Sequence, residues 1–367
     1  MVAEASRRGH SQWGFSLDEE MALPELTAQL AFRYSWPESS LRRRLDFHRH
    51  HEPLAASLRA WIAQVQPELI HIQNLTAFRS TVFPVLGSQA APVLMTAHDF
   101  SLADPNPAGL SRVGWTGRLK SLLDRASLAR SRREAFRAVD RFLCPTEALR
   151  WGVGFPEPRS RLQRLPIELA EIAPWRPLLN NNPLQLFFAG SLYRSKGVDL
   201  LLQALPLLRG AARGAALEIA GSGDQQAALE QLCKDLGLSE RVRFLGHCGA
   251  SAMEEAYSRC HLLVLPSRVP ENSPLTVLEA GARGRASLAS GRGGSPELLA
   301  EDRGWTFRNE DVQDLAQGIE RAVADPQELQ ARGLRMRAWV RQEFQPQRHW
   351  DDLEAHRQDL VTRGRAR

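Results

Sequence analysis

Glu271 and Glu279 bracket a short segment containing Ser273 and Pro274, with seven residues between the two carboxylates. The apolar run at residues 261–265 precedes them and is typical of a buried strand in a parallel sheet. Ser273 favours the N-cap of a following helix, and Pro274 favours its first position. The amides and partial positive charge at such a helix N-terminus suit a phosphate group.

Both carboxylates would repel an anion bound at this helix, so each must face a neutral polar group instead. Sugar hydroxyls are such groups, because they donate hydrogen bonds to carboxylate oxygens. A ligand that carries phosphates between two polyols meets both requirements. The segment therefore predicts a nucleotide-sugar site just after a buried strand.

The elements that position this segment alternate between strands and helices. In the second half the predicted strands are residues 186–189, 217–220, 242–244, 262–265 and 287–289. In the first half they are residues 67–72, 92–96 and 140–144. Such alternation predicts parallel sheets covered by helices, so we expect an α/β chain with two Rossmann-like domains.

Several stretches of the second half occur in an order that resembles a known family. They are residues 188–192 followed by Lys196 and Gly197, residues 217–223 and 242–246, the two-glutamate segment, and residues 293–297. The set resembles retaining glycosyltransferases of family 4, in the group similar to glycogen synthases and mannosyltransferases. The resemblance is specific over residues 184–299 and weaker over residues 67–166. It implies the GT-B fold, in which two parallel-sheet domains face a cleft.

The domain boundaries combine this resemblance with composition. Residues 1–170 are expected to form the N-terminal, acceptor-side domain, and residues 184–344 the nucleotide-sugar-binding domain. Residues 171–183 are expected to be a linker, because proline and asparagine are concentrated there. The resemblance implies that residues 345–367 form a C-terminal helix that crosses back to the first domain.

The implied reaction is transfer of a hexose from a nucleoside-diphosphate sugar, with UDP or GDP as the nucleotide. The acceptor would be a hydroxyl of a glycan, a lipid-linked sugar or a small metabolite, and the anomeric configuration would be retained. The leaving phosphate would assist deprotonation of that hydroxyl. Neither a metal nor a cofactor is expected, since cationic side chains and a helix dipole can stabilise the leaving group.

Three residues are expected to be catalytic. Lys196 follows a predicted strand and can stabilise charge on the departing diphosphate. Glu271 is expected to hold sugar hydroxyls or to steady positive charge at the reacting carbon. His98 follows another strand, at the end where open α/β sheets bind ligands, and the resemblance implies that it faces the donor sugar. A local hydrogen bond in its own loop is the alternative for this histidine.

The donor contacts complete the predicted site. Glu279 is expected to accept hydrogen bonds from the ribose hydroxyls, as acidic residues do in dinucleotide-binding folds. Arg194 is expected to replace an arginine that the family carries where this chain has Ser191. The other donor contacts are Gly190, Ser191, Asn272, Ser273, Pro274, Leu275, Thr276, Gly246, His247, Gly293 and Gly294. Of these, Leu275 and Thr276 would donate amides to the diphosphate, and the paired glycines would let the backbone approach the sugar. The resemblance implies that the loop at Gly246 and His247 holds the base.

Other functions stay open at this stage. The start of the chain reads as a helix closed by Gly9, so the first strand and glycine loop of the family are expected to be absent. That absence, together with Ser191, allows a catalytically weak or inactive donor-binding partner subunit. A GT-B nucleotide-sugar epimerase is a further alternative, although it would need catalytic carboxylates in the first domain, and no motif of the sequence identifies them.

The composition of the chain limits the cellular compartments and the binding partners that we expect for it. The four cysteines show neither paired spacing nor a zinc-binding pattern, which suits a reducing compartment. No apolar run reaches the roughly 20 residues that a membrane span needs. Together these features predict a cytoplasmic protein. The net charge is +5, with basic clusters at residues 42–44, 48–51, 125–137 and 363–367. These clusters fit either peripheral contact with the anionic inner face of the cytoplasmic membrane or a solvated arginine-rich surface. Nucleic acid is not expected as a partner, because no RNA-binding or zinc-finger motif is present.

Overall fold

The computed structural model describes residue 8 and residues 14–16, 31–33, 50–73, 75, 78–103, 115–168 and 184–364; side chains are described outside residues 14–16, 31–33 and 115–124. Before residue 50 it contains two short strands, β1 (Gly14–Ser16) and β2 (Ala31–Arg33), which pair in parallel. The expected absence of a first strand and glycine loop lies largely outside the described residues. The predicted linker lies wholly outside them.

The chain forms two compact units. The first consists of residues 1–96, 118–142 and 357–367, and the second of residues 97–117 and 143–356. The predicted domain boundaries at residues 170 and 184 stay a prediction, because they lie in or beside a stretch that the structure does not describe.

The elements between residues 50 and 168 alternate as the sequence predicts. In chain order they are α1 (Glu52–Val65), β3 (Ile70–Ile72), α2 (Arg79–Gly87), β4 (Val93–Thr96), α3 (Trp115–Ala138), β5 (Arg141–Cys144), α4 (Glu147–Val153) and β6 (Ser160–Leu162). The four strands β3 to β6 form one sheet in that order, and β3 runs parallel to β4. The three strands predicted in this half are confirmed, with β3 starting three residues later than expected.

Helix α1 illustrates why these elements form where they do. The His51 side chain caps its start by accepting a hydrogen bond from the Leu54 amide at 3.2 Å. Leu54, Leu58 and Ile62 recur every four residues and are all buried, so one stripe of the helix faces the core.

A six-stranded parallel sheet organises residues 184–307. Its strands are β7 (Gln185–Ala189), β8 (Ala216–Ala220), β9 (Val242–Gly246), β10 (Leu262–Leu265), β11 (Ala286–Ser290) and β12 (Trp305–Phe307). Their spatial order is β12-β11-β10-β7-β8-β9, and every pair of neighbours runs parallel. The five strands predicted here are confirmed. The short edge strand β12 was not predicted.

Helices cover this sheet and extend beyond it. They are α5 (Val198–Ala204), α6 (Gln226–Asp235), α7 (Ala250–Arg259), α8 (Leu275–Ala282), α9 (Ser295–Leu299), α10 (Val312–Val323), α11 (Pro326–Glu343) and α12 (Pro346–Arg363). The last turns of α12 belong to the first unit, where Asp359 pairs with Arg141 at 2.6 Å. No described helix combines the length and the low charge that crossing a bilayer requires.

The order of the strands locates a ligand-binding edge. From β7 the chain moves outward through β8 and β9, and it then returns to the opposite side of β7 with β10, β11 and β12. Strands β7 and β10 are therefore neighbours whose connections leave in opposite directions. In open α/β sheets ligands bind beyond the carboxyl ends of such strands. The loops concerned are residues 190–197 and 266–274.

Gly197 lets these two loops approach each other closely. Its φ is +69°, and a Cβ atom at this position would lie 2.1 Å from the Pro266 carbonyl oxygen. Residues other than glycine adopt this left-handed conformation only at a cost, and no side chain fits against that oxygen. The contact thus fixes the turn after β7 against the loop after β10.

We predict that Gly197→Ala destabilises the protein by at least about 1–2 kcal/mol, through backbone strain and overlap with Pro266. For a unit of this size the melting temperature should fall by roughly 2–4 °C per kcal/mol. Thermal unfolding followed by circular dichroism measures this. The control is Gly214→Ala, because an added Cβ there meets no atom within 4 Å. Equal melting temperatures for the two variants would contradict the packing argument.

Candidate donor site at the ends of β7 and β10

An ion pair joins the two loops at the switch point of the sheet. Lys196 lies in the single 3₁₀ turn Arg194–Lys196 after β7, and Glu271 lies in the loop after β10. The Lys196 Nζ atom is 2.7 Å from Glu271 Oε1, and the Ser267 hydroxyl donates to the same oxygen at 2.6 Å. Two of the three predicted catalytic residues therefore touch each other.

This pair keeps capacity for a ligand. The side chains are 27% and 17% exposed for Lys196 and Glu271, so the pair is neither fully solvated nor fully buried. A lysine ammonium has three donors, and Glu271 Oε2 accepts no hydrogen bond from a described residue. Charges in such a partly excluded position interact more strongly than charges in bulk water. The pair can thus offer a cation to a phosphate and an acceptor to a hydroxyl.

Helix α8 begins one residue later than the sequence predicted. Its N-cap is Pro274, in an extended conformation, and its first residue is Leu275. The prediction of Ser273 as the cap is wrong, because Pro274 occupies the N-cap and no side chain caps the helix. The Ser273 Oγ atom is buried and makes no hydrogen bond.

The first turn of α8 presents two amides. The amides of Val277 and Leu278 donate to the Pro274 carbonyl, at 3.1 and 3.3 Å. The amides of Leu275 and Thr276 donate to no described residue, and no side chain caps the helix. These are the two amides that the sequence interpretation assigned to a diphosphate. Leu275 is also 50% exposed, so this end of the helix is open.

Glu279 is oriented by a residue that the sequence interpretation missed. Its Oε2 atom accepts a hydrogen bond from the hydroxyl of Tyr257 at 2.8 Å. Tyr257 belongs to α7, is 1% exposed, and packs edge-on against Phe187. Burial, and then the adjacent Glu279 carboxylate, raises the pKa of Tyr257, so this hydroxyl remains a donor. One oxygen of Glu279 is thereby fixed, and Oε1 remains without a described donor.

Arg283 extends this arrangement. Its guanidinium lies over the Tyr257 ring, 4.6 Å from the ring centroid, and its Nη1 donates to the Glu279 carbonyl at 2.9 Å. Glu254 accepts from Arg283 Nε at 2.8 Å and neutralises it. The sequence interpretation did not single out Tyr257, because this hydrogen bond joins residues of two different helices that are 22 positions apart in the chain.

Asn272 is buried and its amide is occupied by protein groups. Its Oδ1 accepts from the Thr146 hydroxyl at 2.7 Å, and its Nδ2 donates to the His98 carbonyl at 3.0 Å. Thr146 in turn caps α4, because its hydroxyl accepts from the Leu149 amide. The side chain next to Glu271 therefore anchors two other segments of the same unit. Its predicted contact with a donor stays a prediction.

Gly293 and Gly294 pack closely against the loop after β10 that carries Glu271. Gly293 has a φ of +64°, and a Cβ atom there would lie 2.1 Å from the Glu271 carbonyl oxygen. The Gly294 amide donates to that carbonyl at 2.7 Å, and a Cβ on Gly294 would lie 1.8 Å from the Asn272 carbonyl oxygen. This contact explains both glycines without a ligand. Their predicted approach to the donor sugar remains untested.

The remaining predicted residues occupy neighbouring loops. Gly190 and Ser191 follow β7, and Gly246 and His247 lie at the end of β9, where the Gly246 carbonyl accepts from Gly221 at 2.8 Å. His247 is exposed. None of them hydrogen-bonds to the Lys196–Glu271 pair within the described residues.

Arg194 and His98 complete the set. The Arg194 side chain is exposed and has no acidic partner among the described residues. His98 is half-buried; burial lowers the pKa of its imidazole, and the adjacent Asp99 opposes that shift. The Asp99 side chain accepts from the Ser101 amide at 2.8 Å, as a local turn does. The contact between His98 and the loop that carries Glu271 is made by the His98 carbonyl oxygen, which accepts a hydrogen bond from the Asn272 side chain.

No three histidine, cysteine, aspartate or glutamate side chains in the described part of the chain converge as metal ligands would. The chemistry visible at this edge of the sheet consists of a lysine, two oriented carboxylates and two helix amides. That the protein needs no metal stays a prediction.

Two family models match the chain. Residues 170–338 match the glycosyl transferases group 1, and residues 1–153 match Glycosyltransferase Family 4. The resemblance inferred from the sequence is thus confirmed at the level of its domains: a family 4-like domain precedes a group 1 domain.

Curated relatives match over part of their length. The chain is 34% identical to an uncharacterized glycosyltransferase of Methanocaldococcus jannaschii over 38% of this chain and 36% of that protein. It is 28% identical to the GDP-mannose-dependent alpha-(1-6)-phosphatidylinositol monomannoside mannosyltransferase of Mycobacterium tuberculosis, over 45% and 44%. It is 32% identical to the glycogen synthase of the same organism, over 44% and 39%. The chain therefore spans less than half the length of these relatives.

Solved structures share the fold across most of the chain. Sucrose-phosphate synthase from Thermosynechococcus elongatus superposes with a TM-score of 0.73 at 19% identity, covering 98% of this chain and 92% of that one. HepE of Anabaena, solved in complex with UDP and glucose, superposes with a TM-score of 0.68 at 18% identity, covering 91% and 87%. The predicted fold class is confirmed: the chain has the GT-B architecture of two parallel-sheet, Rossmann-like domains.

We predict that Asn272→Ala costs about 1–3 kcal/mol of stability, because it removes the buried hydrogen bonds that Asn272 makes with the Thr146 hydroxyl and the His98 carbonyl. Asn272→Asp should be destabilising as well, since a carboxylate cannot donate to the His98 carbonyl. Thermal unfolding measures both effects. The control is Gln347→Ala, which removes an exposed amide bonded to Asp351. Unfolding of Asn272→Asp at the parent temperature would show that the Asn272 bridge does not stabilise the protein.

Proposed function

We propose that this protein is a glycosyltransferase that moves a hexose from a nucleoside-diphosphate sugar to an acceptor hydroxyl, with retention of anomeric configuration. The observation that carries the proposal is the Lys196–Glu271 ion pair at the end of β7 and β10, in the same loop system as the open first turn of α8. The glycosyltransferase models matched by both halves of the chain support it.

Each part of the donor has a matching group in this proposal. The amides of Leu275 and Thr276 and the ammonium of Lys196 take the diphosphate oxygens. Glu279, with Oε2 held by Tyr257, accepts from the ribose hydroxyls through Oε1. Glu271 accepts from hydroxyls of the hexose. The nucleotide is UDP or GDP, in keeping with the UDP bound to HepE and the GDP-mannose dependence of the mycobacterial relative.

The reaction breaks the bond between the anomeric carbon and the phosphate oxygen, and it forms a bond from that carbon to the acceptor oxygen on the same face. Negative charge grows on the leaving diphosphate, where Lys196 and the dipole of α8 stabilise it. The acceptor proton passes to the leaving phosphate oxygen. Glu271 steadies positive charge at the anomeric carbon, and His98 faces the sugar from the end of β4.

The acceptor is proposed to be a glycan or a lipid-linked sugar, encountered at the inner face of the cytoplasmic membrane. A relative named for a phosphatidylinositol monomannoside supports a lipid-linked acceptor. Helix α3 supports membrane contact, because its arginines at 125, 130, 132, 133 and 137 are exposed while Glu134 alone opposes them over residues 125–138. Basic residues near an anionic leaflet contribute about 1 kcal/mol each.

A catalytically weak, donor-binding partner subunit is the second candidate. The observation that favours it is Ser191, which stands where an arginine is expected and supplies no charge. Arg194, three residues later, is exposed and without an acidic partner among the described residues, so it can supply that charge. Product formation from UDP-hexose or GDP-hexose separates the candidates, since the subunit would bind the nucleotide without turnover.

We predict that Glu279→Ala weakens binding of UDP or GDP by about 1–3 kcal/mol, the loss of charged hydrogen bonds to ribose. Tyr257→Phe should weaken it less, because the carboxylate remains but loses its fixed orientation. Isothermal titration calorimetry measures both affinities. Glu255→Ala serves as the control, since that side chain is 70% exposed on α7. A Glu279→Ala variant that binds nucleotide as tightly as the parent would exclude the ribose contact.

We predict that Lys196→Ala lowers kcat by about 10²–10³-fold, as loss of one donor to a developing oxyanion does elsewhere. Nucleotide affinity should fall much less. Initial rates with the donor that the parent uses measure the effect, and Lys234→Ala, a surface change on α6, is the control. A rate equal to that of the parent would remove Lys196 from the mechanism.

A further inference from the structure

The Arg268 guanidinium donates hydrogen bonds to three other residues. Arg268 lies three residues before Glu271, in the loop after β10. Its Nη1 and Nη2 atoms bind the two carboxylate oxygens of Asp199, each at 2.6 Å. Its Nη1 also donates to the Arg194 carbonyl at 3.0 Å, and its Nε donates to Glu310 at 3.0 Å. The side chain is only 15% exposed.

Its backbone contacts the same turn. The Arg268 amide donates to the Ser195 carbonyl at 2.8 Å, and the Arg268 carbonyl accepts from Arg292 Nη1 at 3.0 Å. Arg194 and Ser195 immediately precede Lys196. Both of their carbonyl oxygens are therefore held by Arg268, one by its side chain and one by its backbone.

Asp199 extends this anchor into the next element. It lies in the first turn of α5, two residues after Gly197. The pair with Arg268 thus fixes the chain on the far side of Lys196, while the bonds to Arg194 and Ser195 fix the near side. The loop that carries Glu271 holds the Lys196 turn from both ends.

We propose that Arg268 is a positioning residue, which sets the location of the Lys196 ammonium relative to Glu271 and the first turn of α8. The inference rests on the proposed function, in which Lys196 meets the leaving diphosphate. A lysine ammonium ends a flexible four-carbon stem, so the position of its charge depends on how firmly the backbone below it is held. Displacement of a catalytic group by about 1 Å can cost on the order of 10²-fold in rate.

The guanidinium geometry is essential to this role. Its planar fork reaches both oxygens of Asp199 and, at the same time, the Arg194 carbonyl and Glu310. A lysine at this position carries the same charge but offers a single nitrogen, so it cannot bridge these groups simultaneously. The hydrogen bonds to Asp199 raise the pKa of Arg268, which keeps the fork charged. Arg268→Lys therefore separates geometry from charge.

The test compares Arg268→Lys with the parent and with Arg308→Lys, a control whose side chain is 76% exposed. The direct readout is the labelling rate of the Lys196 amine by an isotopic acylating reagent, quantified by mass spectrometry. We expect Lys196 to label at least about threefold faster in Arg268→Lys, because its ion pair with Glu271 is populated less. We expect kcat to fall about 10–100-fold, with nucleotide affinity falling by less than about tenfold.

A second variant keeps the test decisive if Arg268→Lys unfolds. Asp199→Asn leaves Arg268 in place and weakens its anchor, so Lys196 labelling should rise in the same direction by a smaller factor. Unchanged Lys196 labelling in the folded variants would overturn the inference.

The two proposals fail in distinguishable ways. If the parent binds neither UDP nor GDP in calorimetry, the proposed function fails, and the labelling experiment still reports whether Arg268 positions Lys196. If the parent binds nucleotide but Lys196 labels alike in Arg268→Lys, Asp199→Asn and Arg308→Lys, the role of Arg268 fails while the donor site stands.

Discussion

The structure of the candidate site depends on the ion pair between Lys196 and Glu271. The two residues come from the loops after β7 and β10, which are neighbours only because the strand order of the sheet reverses between them. The close contact of Gly197 with Pro266 brings the loop backbones together. A cation and a carboxylate are therefore fixed at the one edge of the sheet where parallel α/β proteins bind ligands.

A second constraint acts on the loop between Glu271 and α8. Gly293 and Gly294 press against the carbonyls of Glu271 and Asn272, and the Asn272 amide is held by Thr146 and His98. The loop therefore has little freedom, and the first turn of α8 is presented in a defined place. Such fixed donors stabilise developing charge without reorganising during a reaction, which is the property that phosphate departure requires.

The sequence predicted the strands of the second sheet because buried parallel strands are continuous apolar runs, as residues 262–265 are. It predicted Lys196 from its place after a strand end, where open α/β sheets bind ligands. It predicted Glu271 from its spacing to Glu279 and from the family resemblance that this spacing carries. It did not reveal Tyr257, whose hydroxyl reaches Glu279 from another helix, nor Arg268, whose partners Asp199 and Arg194 are 69 and 74 residues away in the chain. Local sequence patterns do not predict hydrogen bonds between residues that are far apart in the chain. The cap of α8 was placed one residue too early, because local residue preferences do not fix a helix end to the exact residue.

The central claim is that a diphosphate binds at the first turn of α8, beside Lys196. A crystal structure of the protein with UDP-glucose or GDP-mannose tests it most directly. The account predicts that diphosphate oxygens lie within hydrogen-bonding distance of the Leu275 and Thr276 amides and of Lys196 Nζ, with the ribose at Glu279. A nucleotide bound elsewhere, or a diphosphate that contacts neither the helix amides nor Lys196, would contradict it.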